Sequence, residues 1–266
     1  MKYLKCFICF LLALIMNVFS EQIDAYLNVN KIMPDLYVVT HAYPWPSNSV
    51  CAIMENGDVV LVDVPYTPDA TEKLLQWIHG KLGERKIIAV NTHFHVDRLG
   101  GNAALVKHDI PIYSSGLTLT AIRERGTASL KLLCSWVTDE TIKKYYQQFA
   151  YIPPNRIFDA EKGLTLSFGK ENVLVRYYGV GHSVDNLAVF FPAKKVLFGG
   201  CMILSSEAEK IGNVSDGDPV EWLSTLGRID ADGYEHIIPG HGKSGGVELL
   251  SHTKKLLQNH TVQRNE

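Results

Sequence analysis

His93-Phe94-His95-Val96-Asp97-Arg98, preceded by the apolar run Ile87-Ile88-Ala89-Val90 and the link Asn91-Thr92, is the stretch around which the rest of the chain is read. The apolar run predicts a buried strand that ends at Asn91-Thr92. Side-chain direction in extended backbone repeats every second residue, so His93 and His95 point the same way and can grip one metal ion together. Asp97, two residues further on, can reach a second ion beside it. More donors follow downstream: His182 after Gly181, Cys201 after Gly199-Gly200, and His241 between Gly240 and Gly242. Imidazole, thiolate and carboxylate in one set suit zinc. Any one of these residues alone is more simply a satisfied core group. The whole set, in this order and context, outweighs that reading.

The chain has 266 residues, 46% of them hydrophobic, and a formal net charge of −2. That suits one globular domain or two closely packed halves, and gives no electrostatic case for nucleic acid. At the N-terminus, Lys2 and Lys5 precede an apolar run from Phe7 to Val18, and Val18-Phe19-Ser20 has the spacing of a cleavage site. The expectation is a signal peptide over residues 1–20 and a single mature domain over 21–266. The apolar run is short for a bilayer, so the product is expected to be secreted without a membrane anchor, which in a Gram-negative cell means the periplasm. Of the five cysteines, Cys6 and Cys9 fall in that segment. Cys201 is better used as a ligand, and Cys51 and Cys134 read as small buried apolar residues. A Cys51–Cys134 disulfide is the alternative.

Strands are expected at Tyr37–Thr40, Cys51–Met54 and Asp58–Val62, the last two joined at Asn56-Gly57, a hairpin signal. Thr67 caps a helix with Pro68 in its first turn and Leu74, Leu75, Trp77 and Ile78 on its apolar face. His79 on that helix reads as a surface residue. A short helix follows Gly100-Gly101 and ends near His108, a C-terminal cap partner. Another begins at Thr138-Asp139-Glu140, carries Tyr145, Tyr146 and Phe149, and stops before Pro153-Pro154. Strands are expected at 164–168, 173–178, 187–191 and 195–198, a helix from Asp218-Pro219 to about Ile229, a strand at His236–Ile238 and a closing helix at 247–257. Two sets of strands with interspersed helices fit an α/β fold of two facing sheets with helices outside.

Val62-Asp63, Asn91 to Asp97, Gly181 to Asn186, Leu197 to Cys201 and Ile238 to Gly242 together resemble the metallo-β-lactamase fold superfamily, and within it subclass B1. Other hydrolases of the superfamily carry a histidine directly after the metal-loop aspartate. Here Arg98 stands there and Cys201 is present, which is the B1 pattern. Asn91-Thr92-His93-Phe94-His95 and the long segment Thr127–Gln148 look most like its SPM-type branch. The resemblance implies a four-layered αβ/βα sandwich holding two Zn2+ per chain. His93, His95 and His182 would take the first ion, and Asp97, Cys201 and His241 the second.

It further implies a hydrolase acting on cyclic amides, with a β-lactam as small-molecule substrate and a monomer as the working form. A zinc-bound hydroxide would attack without a covalent intermediate, since zinc lowers the pKa of bound water to about 7. Asp97 would orient the nucleophile, and Asn213 would meet the lactam carbonyl. Arg98 and Asp63 would hold the metal loop from behind, though for Asp63 a plain turn carboxylate is an equal reading. Trp45 and Tyr43, in a short loop between strands, would cover the substrate, and Thr127–Gln148 would form the other wall. One departure stands out. Many B1 enzymes carry a lysine three residues after the metal-binding cysteine to pair with the substrate carboxylate. This chain has Leu204 there, and Lys210 is the nearest cation in the loop. The alternatives are a lactonase or thioesterase on the same fold, or a periplasmic zinc-binding protein without turnover.

Overall fold

Alternation along single strands assigns the layers. In the computed structural model, which describes residues 19–229 and 233–263, Leu36 and Val38 of one strand enter one core while Tyr37 and Val39 enter another. Val60, Val62, Ile88 and Val90 join the first pair, and Val59, Leu61 and Ala89 the second. These strands are therefore buried on both faces, as a sheet covered on each side must be.

The first sheet has eight strands in chain order: β1 (Phe19–Gln22), β2 (Leu27–Met33), β3 (Leu36–Ala42), β4 (Pro46–Ile53), β5 (Val59–Val62), β6 (Ile87–Val90), β7 (Ile112–Ser115) and β8 (Arg156–Phe158). Pairing is antiparallel up to β5 and parallel from there on. The second sheet contains β9 (Leu164–Phe168), β10 (Glu171–Tyr177), β11 (Leu187–Phe191), β12 (Val196–Gly200) and β13 (His236–Pro239), in the spatial order β13-β12-β11-β10-β9. Leu187, Val189, Phe191, Val196, Phe198 and Ile238 turn toward the first sheet and close the central core. Ala188, Phe190, Leu197 and Ile237 turn outward.

Helices cover both outer faces. Leu74, Leu75, Trp77 and Ile78 of α1 (Pro68–Leu82) pack on the first sheet. The Thr67 hydroxyl accepts from the Ala70 N–H and so starts that helix. After β6 come α2 (Val96–Leu99) and α3 (Asn102–Lys107), whose Leu105 joins the same cluster. Trp222 and Leu226 of α6 (Pro219–Arg228) and Leu249, Leu250 and Leu257 of α7 (Glu248–Gln263) cover the second sheet. The expected four layers are present.

Two regions differ from the sequence expectation. The segment before Thr138 forms α4 (Gly116–Trp136), a helix of 21 residues. With α5 (Glu140–Gln147) it encloses a small separate cluster of Tyr66, Val96 and Tyr146, flanked by Leu130, Leu133 and Ile142. Cys51 and Cys134 are unpaired and lie in different clusters, so no disulfide joins them. The expected signal peptide falls largely on residues 1–18, outside the described ones. β1 crosses the expected cleavage point, Ser20 pairing with Asn30 and Glu21 with Val29. Among the described residues no helix is long and apolar enough to cross a membrane.

Candidate metal centre

The expected donors leave their strands at one end of the two sheets. His93, His95 and Asp97 follow β6, His182 follows β10, Cys201 follows β12 and His241 follows β13. Parallel neighbours end side by side, which is how β5 with β6 and β12 with β13 bring distant sequence together. Two glycines make the approach possible. Gly200 adopts a left-handed φ of +52° just before Cys201. A Cβ on Gly240 would lie 2.7 Å from the Gly200 carbonyl carbon, so no larger residue can precede His241 without moving that loop.

The structure draws all six donors into two adjoining groups. His95 Nδ1 lies 3.2 Å from His93 Nε2 and 3.2 Å from His182 Nε2. Cys201 Sγ lies 3.3 Å from His241 Nε2 and 3.5 Å from Asp97 Oδ2, and the last two are 3.2 Å apart. His93, Asp97 and Cys201 also offer donor atoms within 4.8 Å of one another, so the groups share a boundary. Donors around one tetrahedral zinc stand roughly 3.3–3.8 Å apart, given Zn–N and Zn–S bond lengths. The fit of donor type and spacing is therefore good.

Three of the four imidazoles are aimed by their other nitrogen. His95 Nε2–H donates to Asp216 Oδ2 at 3.0 Å, His241 Nδ1–H donates to the Pro46 carbonyl at 2.7 Å, and His93 Nδ1 lies 3.4 Å from Thr92 Oγ1. Such partners fix ring orientation and leave the inner nitrogen with its lone pair. The His182 ring meets Trp222 edge-on at 5.8 Å. Trp222 is itself buried and anchored by its indole N–H to the Met202 carbonyl at 2.9 Å.

Electrostatics agree with metal-ready protonation states. Burial, with the His95 ring beside each, holds His93 well below the usual histidine range and His182 down at about 3. Both are neutral at pH 7. Burial would lift Asp97, but Arg98 and His241 hold it well below the usual carboxylate range. Burial pushes the Cys201 thiol far up against the opposing pull of Arg98, so a cation at this point is what would favour the thiolate.

Arg98 is fully buried. It donates to Asp97 Oδ2 through Nη2 at 2.6 Å and Nε at 2.9 Å, to the Asn48 carbonyl at 2.7 Å and to the Gly240 carbonyl at 3.0 Å. One guanidinium thus ties both sheets to the metal loop. Asp63 stands at a left-handed turn with φ of 58° after β5. It accepts from the Thr92 N–H at 2.7 Å and hydroxyl at 2.8 Å, and lies 3.5 Å from Arg98. It is thus both a turn carboxylate and a clasp on the metal loop. Burial raises it to about 7 despite Arg98.

A cavity of about 320 Å³ opens over these donors. Trp45, Asn213 and Lys210 line it, as expected, and so does Leu204. Asn213 Oδ1 accepts from the Ser215 N–H, which leaves the amide nitrogen to donate. Tyr43, expected beside Trp45, is not in the lining. Its ring stacks on His41 at 6.0 Å and meets Tyr26 edge-on at 5.6 Å, so packing turns it away.

A sequence model described as the metallo-beta-lactamase superfamily matches residues 42–241, the span that contains every donor above. The chain belongs to the metallo-β-lactamase superfamily. It is 30% identical over 214 residues to a metallo-beta-lactamase type 2 from Bacteroides fragilis, covering 80% of this chain and 75% of the relative. It is 32% identical over 216 residues to one from Bacillus sp. (strain 170), covering 80% and 73%. Among solved structures, a metallo-beta-lactamase from Pontibacter korlensis superposes with a TM-score of 0.74 at 29% identity, covering 88% of this chain and 99% of that one. The DIM-1 metallo-beta-lactamase gives 0.71 at 27% identity, covering 88% and 98%.

Within this metallo-β-lactamase scaffold, two residues escaped the sequence reading. Asp216, three residues after Asn213, holds His95, and Trp222 braces His182. A buried carboxylate paired with histidine has no local signature, because its partner lies 121 positions away.

Proposed function

We propose that this metallo-β-lactamase family member hydrolyses the β-lactam amide bond with two zinc ions. His93, His95 and His182 would hold one, and Asp97, Cys201 and His241 the other. The observation that carries this reading is the pair of adjoining donor groups on the floor of an open cavity, with Arg98 and Cys201 where related hydrolases of other classes differ. The ions would supply Lewis-acid polarisation and, from water, a nucleophile competent at neutral pH.

The chain's own residues then bind and orient. The Asn213 amide nitrogen donates to the lactam carbonyl oxygen. Asp97 stays ionised; Arg98, His241 and Cys201 converge on its Oδ2, and Oδ1 is the oxygen that accepts from a water and aligns it. Lys210 meets the substrate carboxylate from the cavity rim, in place of the lysine that Leu204 replaces. No side-chain nucleophile is required: Ser183 is buried and bonded to Asp185, away from the lining. The working form is a monomer exported to the periplasm after removal of residues 1–20, which the charged, then apolar, N-terminus supports.

Nitrocefin hydrolysis by purified protein, with chelator and then zinc add-back, tests the reading. Activity lost to chelator and restored by zinc is expected. Thioester or lactone turnover without nitrocefin turnover would overturn it in favour of another hydrolase of the fold. Failure to open any ring in a single-turnover assay would leave a zinc-binding protein.

A further inference from the structure

The loop that carries Lys210 and Asn213 is held from behind by a helix outside the cavity lining. Between β12 and α6 the chain passes through Leu204, Ala208, Lys210 and Asn213, all of which line the cavity. Two consecutive residues of α7 grip the first half of this loop. The Leu204 N–H donates to Thr253 Oγ1 at 2.9 Å, and the same hydroxyl donates to the Leu249 carbonyl, one turn back, at 2.7 Å. His252 Nε2–H donates to the Ala208 carbonyl at 2.8 Å. Thr253 is fully buried, and Leu249, Leu250 and Leu257 seat α7 in the second-sheet cluster. The grip therefore stands on a core element.

The two side chains that would meet substrate depend on this grip unequally. Asn213 follows Ile211, which is buried in the second-sheet cluster, and precedes Asp216, which is held by His95. It has anchors of its own on both sides. Lys210 is exposed and stands between the held Ala208 carbonyl and Ile211. Releasing the carbonyl leaves its backbone fixed on one side only. The exposed Glu207–Lys243 pair nearby adds little restraint. A lysine on a loose backbone must order that backbone each time it pairs with an anion, and one on a held backbone need not.

We propose that His252, with Thr253 beside it, is a positioning residue for the substrate carboxylate, acting through the backbone of residues 204–208 to fix the reach of Lys210. The β-lactamase reading supplies the substrate, and the α7 contacts alone supply the geometry. A carboxylate contact is equal in ground and transition states, so loosening it changes KM and spares kcat.

Steady-state kinetics on benzylpenicillin test this in a double-mutant cycle with Lys210→Met. His252→Ala should raise KM about five- to tenfold, and no more than Lys210→Met does, with kcat within about twofold of wild type. His252→Gln, which keeps an N–H donor, should restore KM. In the Lys210→Met background His252→Ala should add less than about twofold. Thr253→Val, close in shape to the wild type, should raise KM in the same sense and serves if His252→Ala fails to fold. A KM rise of equal size in both backgrounds, a loss confined to kcat, or no restoration by glutamine would overturn the proposal. A second measurement needs no turnover. Amide hydrogen exchange followed by NMR should be at least about tenfold faster at Leu204 in Thr253→Val, with the Trp222 amide of α6 unchanged. Unchanged exchange at Leu204 would remove the grip. If the wild type opens no lactam while Leu204 exchange responds in this way, the grip stands and the β-lactamase reading falls.

Discussion

The floor and the wall of the cavity are built on opposite principles. On the floor, nearly every polar group has a partner: Arg98 alone reaches Asp97, Asn48 and Gly240, and His95 is held by Asp216. On the wall, α4 offers tryptophan and leucine side chains with little beyond a helical backbone and a small cluster behind them. A saturated polar network in a dry interior specifies one geometry and breaks badly when a member is lost. An apolar wall tolerates change better, because no charge or hydrogen bond is left unpaired when one side chain is replaced. Floor substitutions should therefore cost stability and metal, and wall substitutions should cost little of either.

The sharpest contrast comes from Arg98→Met. It leaves two buried carboxylates, Asp97 and Asp63, without their cation, and costs about 3–5 kcal/mol of stability. Urea denaturation of the zinc-free protein measures this, and a loss below about 1 kcal/mol would show that the guanidinium is not the tie described. Asp216→Asn is milder. It keeps the shape but removes the charge that orients His95, and should weaken metal binding about 10–100-fold while the fold survives. Competition with a chromophoric chelator reads that affinity; an unchanged value would separate Asp216 from the metal site.

Between floor and wall lies Leu204. Its side chain lines the cavity and packs against the second-sheet cluster. A lysine stem can keep that packing while its ammonium reaches the cavity. Leu204→Lys should lower KM for carboxylated β-lactams up to about tenfold, with little change in kcat, because the contact is equal in ground and transition states. Steady-state kinetics on a penicillin and a carbapenem would show it. Unchanged KM for both would mean that Lys210 at the rim already holds the carboxylate fully, so that a second cation at 204 adds nothing.

The smallest effect is behind the wall. Burial lowers His41 from its ordinary 6.5 to about 4, and its Nδ1 accepts from the Tyr66 N–H. The neutral form is the folded one. This stability is complete above about pH 6.5 and is lost as pH falls toward 4, because the unfolded chain takes the proton first. His41→Gln, which keeps an acceptor, should reduce the loss between pH 7 and pH 5 by about 1–2 kcal/mol. Equal losses in paired urea titrations would refute this.

The same contrast explains what could be read from the sequence. The donors were legible because metal-ligand residue types recur in loops just after predicted strands, and the apolar run Ile87–Val90 announced a buried strand. α4 was not legible. Its sequence, with Gly126 and several threonines, carries only three buried positions, since Leu130, Leu133 and Trp136 face the cavity and the helix pair instead of a sheet. Periodicity reports burial against a core, and this helix has little. Asp216 and Trp222 were hidden for another reason: each acts through a partner far away in sequence. Tyr43 lies outside the lining because its ring packs on His41 and Tyr26, contacts that a short loop's sequence does not announce.

Zinc content per chain, measured side by side on the wild type and Cys201→Ser after dialysis against trace metal, tests the two-group floor most directly. Close to two zinc ions per chain are expected in the wild type. In the variant, where a neutral hydroxyl replaces a soft thiolate, close to one is expected. Two tightly held ions in both proteins would remove Cys201 from the donor set and contradict the arrangement derived from the structure.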